Sequence, residues 1–233
     1  MRIVVDQLTR RVAPRIGVAG IDPETERHAR PVAPPNEPVT RALLAENGGP
    51  LEIGALVDLG NVTPWPAPPE TERHLFSPAA ATRVGRLDAD DYLALLDRVS
   101  SPDVQSIFGP ELEHLTRGYA LEPDRGTVSL GVLRVEQPPR LEIEHRWARL
   151  RIVVQIPERV AFQVVDVRFL EENHQRLKGG LIDDVNERMA SGVGVFLTVG
   201  LGPAVQVLDD DRERRWVNVT GICLADQPLG TSS

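Results

Sequence analysis

The chain has 233 residues, of which 41% are apolar and 26% charged, with a formal net charge of −8. These proportions belong to a globular protein with a real core and exclude a general, non-specific coater of DNA. No run of about 18 apolar residues exists, which excludes a membrane-spanning helix. The opening Met1-Arg2-Ile3-Val4-Val5-Asp6 lacks a signal peptide's apolar core, so the cytoplasm is the expected compartment. A lone cysteine, Cys223, excludes an internal disulfide framework and a multi-cysteine zinc site. Of 26 basic residues only Lys178 is a lysine. Cationic contacts therefore fall to guanidinium groups, whose planar fork suits phosphate and carboxylate.

Residues 2–5 predict a short strand and residues 15–21 a second, with Gly17 and Gly20 allowing close backbone approach. Asp22-Pro23-Glu24 is a turn, and His28 to Val32 reads as an edge-type third strand. Pro38 to Asn47 suits a short helix stopped by Asn47-Gly48-Gly49. Residues 51–59 alternate again, with Ile53, Ala55, Val57 and Leu59 on one face. Residues 61–125 carry 6 arginines against 11 acids, the most acidic part of the chain. They open with a proline-rich loop, and Asp88 then caps a helix over 89–99 whose apolar side is Tyr92, Leu93, Leu95, Leu96 and Val99. A further helical turn is expected at 111–115.

The remaining third is strand-rich, with strands expected at 129–136, 140–144, 147–155, 161–169, 194–201, 204–208 and 215–224. Ile182, Val185 and Met189 define a helix between them. Strands interrupted by one helix over about 100 residues fit a Greek-key barrel of the OB type, and the first end repeats that grammar on a smaller scale. The expected fold is mainly β with short helices: two OB-like barrels, 1–60 and 126–233, joined by a proline-rich and helical connector, 61–125.

Trp147, Arg149 and Arg151 alternate with Ala148, Leu150 and Ile152, so the first three share the outer face of one strand. An indole beside two guanidinium groups suits a stacked base with its phosphates. The bland alternative packs Trp147 against the middle segment and pairs the arginines with Glu142 or Glu144. Arg134, Arg140 and Arg146 extend the same candidate surface. The five histidines have no metal-ligand spacing, and Asp209-Asp210-Asp211 reads as a solvated hairpin tip. There is no P-loop, no dinucleotide fingerprint and no nucleophile elbow, and Cys223 reads as a small buried hydrophobe. Neither a catalytic set, a cofactor nor a metal is expected.

Several segments, in order, resemble one family. Arg27-His28-Ala29-Arg30-Pro31-Val32, Glu72-Arg73-His74-Leu75-Phe76, Arg83-Val84-Gly85-Arg86-Leu87, Ser106-Ile107-Phe108-Gly109, Ser129-Leu130 through Val135, Val165-Asp166 and Phe196 through Gly202 resemble stretches of the dual OB-fold domain proteins of bacteria. The resemblance implies two OB-like barrels with a helical middle. It also implies nucleic-acid or nucleotide binding, with an accessory role in bacterial defence or mobile-element systems. The chain departs from that pattern at Ala29, where the family usually has an aromatic. The functional expectation is a non-catalytic module for single-stranded nucleic acid. The alternative is a scaffold that docks a protein partner and takes no nucleic acid.

Overall fold

A computed structural model describes residues 1–145, 149–171, 176–207 and 210–229. The chain is mainly β with short helices, and its strands form two sheets, one of them curled into a half-barrel. The first sheet holds β1 (Arg2–Arg10), β2 (Ile16–Ile21), β3 (His28–Val32), β4 (Ala55–Asp58), β5 (Thr63–Pro64), β6 (Arg73–Leu75) and β7 (Thr82–Arg86) in the order β5-β6-β3-β2-β1-β4-β7. β1, β2 and β3 form an antiparallel meander, β4 returns to β1, and β6 runs parallel to β3.

The helix expected at 89–99 is α1 (Ala89–Val99). Asp88 caps it by accepting the Asp91 amide at 2.8 Å, which satisfies one of the orphan donors of the first turn. Its buried face is Tyr92, Leu95 and Leu96, and all three pack into the core of the first sheet. β8 (Ser100–Ser101) and α2 (Val104–Phe108) follow, and then β9 (Glu113–Leu115) and β10 (Gly118–Leu121).

The second sheet holds β11 (Leu130–Val135), β12 (Arg140–Glu144), β13 (Arg149–Ile156), β14 (Glu158–Val164), β15 (Val195–Val207) and β16 (Asp210–Leu224), with α3 (Gly179–Ala190) between β14 and β15. Its order is β12-β13-β14-β16-β15-β11-β8, with β10 pairing β16 beside that path. α3 closes one face, where Ile182, Val185 and Met189 join a core of strand residues such as Leu133, Ile152, Phe162 and Leu197. The other face gives Val132, Phe196 and Cys223 to the first sheet's core. That double burial explains why β11 is apolar on both sides.

An ion pair within the second unit, its carboxylate buried, sits beside the joint between the sheets. Arg168 contacts Asp166 at 2.6 Å and donates to the Ile222 carbonyl at 2.8 Å. Beside it the Arg10 amide donates to the Val165 carbonyl at 2.7 Å.

Several expected elements differ. The helix expected over 38–47 is two single 3-10 turns, 41–43 and 45–47, because Leu44 between them is extended and Gly48 turns left-handed. The helical turn expected at 111–115 is instead strand β9, and the helix forms earlier, at 104–108, where Asp103 caps it. Strands expected at 194–201 and 204–208 are one strand, β15, with a register shift between Leu201 and Ala204. The strand expected to reach residue 169 stops at Val164, before a 3-10 turn at 167–169. Within 61–125, β5, β6 and β7 pair into the first sheet, whereas β8, β9 and β10 pair into the second.

Candidate functional site

The described arginines singled out on the second sheet stand among acidic side chains. Trp147 and Arg146 lie outside the described residues. Arg149 is exposed and Leu150 and Ile152 are buried, as alternation requires. Register then sets Arg149 opposite Glu144 and Arg151 opposite Glu142. Arg151 is half-buried and donates to the Ala161 carbonyl at 2.8 Å. Its neighbour Arg159 pairs with Glu142 at 3.6 Å. Arg134 is exposed but contacts Asp97 of α1 at 2.6 Å. Arg140 opens β12, exposed and opposite Val153. The four described arginines are thus spread over three strands, among interleaved acids.

A different place concentrates positive charge. In β1, period-2 alternation puts Gln7, Thr9 and the following Arg11 on one face. Register places Ala19 beside Gln7 and Gly17 beside Thr9. These two small residues leave a trough in the sheet, where a Cβ on Gly17 would strike the Thr9 hydroxyl. Arg30 and Val32 continue the same face on β3, while Ala29 points into the core, only 1% exposed. An aromatic at position 29 would therefore enter the core rather than the trough.

The second sheet roofs this trough with Gly200 to Pro203 of β15, Asn218 and Thr220 of β16, and Val165. A Cβ on Gly202 would lie 2.7 Å from the Asn218 amide nitrogen, so that side chain would have to shift. The resulting cleft holds about 340 Å³. Arg10, Arg11, Arg15 and Arg30 line it, and among the described residues no acidic one does. Arg11, Arg15, Pro35 and Pro203 are exposed and form its rim, while Gln7, Thr220 and Leu201 are buried in its floor and walls.

Arg30 is anchored at one end of the cleft. It donates to the Ser129 hydroxyl at 2.8 Å and lies 3.7 Å from Glu72. Burial lowers its pKa, opposed by the Glu70 and Glu72 charges, and Arg11 and Arg215 lower it further. Guanidinium groups thus crowd this end of the cleft. Arg10 and Arg15 make no ion pair among the described residues.

Behind the trough lies a buried polar group that sequence reasoning did not identify. Asp6 is 2% exposed, and its Oδ1 has no hydrogen-bond partner. Burial pushes its pKa up to about 7, against the Gln7 amide contact. Burial also lowers His28 to about 4, helped by Arg30. The two groups are 3.8 Å apart. Both shifts favour the neutral forms, so between about pH 4 and 7 the contact is one between neutral groups. Burial likewise pushes the Cys223 thiol up to about 12, which leaves it protonated and inert as a nucleophile.

Sequence reasoning overlooked Arg10 and Arg11 because it ended the first strand at Val5, and it set Arg15 at the start of the second strand without giving it a role. The strand runs on to Arg10, and the Gln7-Thr9-Arg11 alternation is its signal. Among the described residues, no three His, Cys, Asp or Glu side chains gather where a metal would be held. No described helix is long and apolar enough to cross a membrane. Comparisons with protein-family models, with curated proteins and with solved structures returned no match.

Proposed function

We propose that the protein is a non-catalytic module that binds single-stranded nucleic acid in the cleft between its two sheets. The observation that carries this reading is the cleft lining, which among the described residues has four arginines and no acid. Such a lining attracts a phosphate backbone locally even though the whole chain is acidic. Apolar walls and the Gln7 and Asn218 amides complete it, a mixture suited to a base and its hydrogen-bonding edge.

The path of the chain supports an OB-like reading of both units. In the second, β12, β13 and β14 form a meander, β16 runs parallel to β14, and β15 returns to β11. The helix α3 interrupts this path between β14 and β15. In the first, β1, β2 and β3 form the corresponding meander, with β6 parallel to β3. OB folds hold oligonucleotides on the outer face of strands two and three. On the first unit that face is the trough.

The test is fluorescence anisotropy with short single-stranded DNA and RNA at two salt concentrations. Binding that weakens with salt, and that is lost in the Arg11→Glu/Arg15→Glu double variant, supports the reading. Absence of binding at low salt overturns it in favour of a protein-docking scaffold.

A further inference from the structure

The polar groups deep in the cleft bear on which bases it takes. β1 carries an extra residue at Asp6, where its pairing with β2 steps from Val5 opposite Gly20 to Gln7 opposite Ala19. Such a bulge re-aims the side chains around it. Gln7 lines the cleft, whereas Asp6 lies behind it and is not part of the lining. Gln7 is only 1% exposed, so its amide is held deep. From the second sheet, Asn218 of β16 lines the same cleft.

Both amides are oriented from behind. An amide nitrogen donates and its oxygen accepts. The Asn218 Nδ2 donates to the Trp216 carbonyl at 3.1 Å and lies against Gly202. A backbone carbonyl only accepts, so this bond fixes which end of the amide is nitrogen. The Gln7 Nε2 donates to Asp6 Oδ2 at 3.5 Å, a long bond in the same sense. Among the described residues neither amide oxygen accepts a hydrogen bond, and neither is closed off from the cleft. Thr220, beside them in the lining, spends its hydroxyl proton on Thr198 at 3.1 Å. These groups therefore offer acceptors to a ligand. Guanidinium donors stand elsewhere, with Arg11 and Arg15 on the exposed rim and Arg30 at one end against Ser129.

Bases differ in what they bring to such acceptors. Adenine, cytosine and guanine each carry an exocyclic amine, which donates. Uracil and thymine carry carbonyl oxygens, with their one ring N–H between two of them. We infer that the cleft selects amino-bearing bases, with Asn218 and Gln7 as the specificity-determining residues that accept from the amine. This rests on the nucleic-acid reading above and deepens it. A uracil in the same place sets a carbonyl against a buried amide oxygen and leaves both unpaired, which is costly away from water. The cleft volume of about 340 Å³ lies at the low end for small-ligand pockets, so the selection acts on a single base.

Fluorescence anisotropy with the full chain tests this on single strands of about twelve nucleotides, each with one kind of base, within the site sizes of OB folds. Two pairs isolate the amine: adenine against purine without its 6-amino group, and cytosine against uracil on the same sugar. The amino-bearing member of each pair should bind about tenfold tighter, a difference of one decade in Kd. Asn218→Leu and Gln7→Met keep roughly the side-chain volume and remove the amide oxygen. Each should bring the ratio toward one, with circular dichroism showing that the fold is kept. Should a variant fail to fold, the two pairs measured on the unaltered chain still decide whether bases are selected. Equal binding within either pair, or tighter binding of the uracil strand, overturns the selection and leaves the nucleic-acid reading standing. A tenfold ratio that persists in both folded variants overturns the assignment to these two residues. Failure of every strand to bind overturns the selection and the nucleic-acid reading together.

Discussion

The two sheets present the same kind of surface in two different states. On the second, the outer face of β12 to β14 is open and carries arginines, but Glu142 and Glu144 stand opposite them in register. Ion pairs on such a face have little net attraction left for a ligand. On the first, the outer face of β1 to β3 has Gly17 and Ala19 where the second has charged pairs, and the opposite sheet covers it. Among the described residues the lining holds four arginines and no acid, and Glu72 stands beside Arg30 at its edge. The lesson is that the number of arginines on a strand matters less than what the neighbouring strands set against them.

Breaking the ion pair beside the joint should have the largest effect. Asp166 is almost fully buried against Arg168. Removing the guanidinium in Arg168→Met leaves that carboxylate unpaired, at a cost of about 3–5 kcal/mol. Urea denaturation should register this, and nucleic-acid binding should fall with it because the cleft loses its roof. A double variant, Asp166→Leu/Arg168→Met, should recover much of the stability. If Arg168→Met alone is neutral, the joint does not depend on the pair.

Asp6 gives a pH-dependent contrast. The folded chain keeps a proton on Asp6 up to about pH 7, whereas the unfolded chain releases it near the ordinary carboxyl value of 3.8. The folded state is therefore penalised as pH rises through that window, and the penalty is complete above it, on the order of 4 kcal/mol. His28 acts in the opposite sense. It stays neutral in the fold down to about pH 4, so its contribution is lost as pH falls from about 6.5. The two slopes offset each other at mildly acidic pH. Asp6→Asn removes one of them: it should raise the Tm at pH 8 and change it little at pH 4. Equal shifts at both pH values would show that Asp6 is ionised throughout.

The smallest expected effect sharpens the comparison at single residues. Arg11→Gln or Arg15→Gln should each reduce the slope of log affinity against log salt by about one phosphate contact. Arg149→Gln should leave that slope within error, and a slope change at Arg149 equal to that at Arg11 would make the two faces equivalent.

Much of the fold was legible. Alternation located β2, β3, β11 and β12 and put Ile53, Ala55, Val57 and Leu59 inside, where all four are buried. Asp88 and the apolar spacing after it marked α1. Less legible were elements set by distant partners. β6 has three residues and exists because Arg73 to Leu75 pair with β3 across more than forty residues. The short run 38–47 has helical composition, yet hydrogen bonds to Leu51 hold it in separate turns. The cleft was harder still. Its arginines sit at the end of β1 and the start of β2, and their convergence depends on a second sheet whose approach no local pattern encodes. Gly17 and the stretch Arg30 to Val32 stood out in the sequence, but not as parts of one site.

Photo-cross-linking followed by peptide mapping tests the central claim most directly. A single strand bearing a photoreactive base is irradiated with the full chain at low salt. The adducts are predicted on the peptides that contain residues 7–19 and 30–39 and on those of the roof, 200–203 and 218–220. Adducts confined to residues 140–163 would place the ligand on the open face of the second sheet and contradict the account.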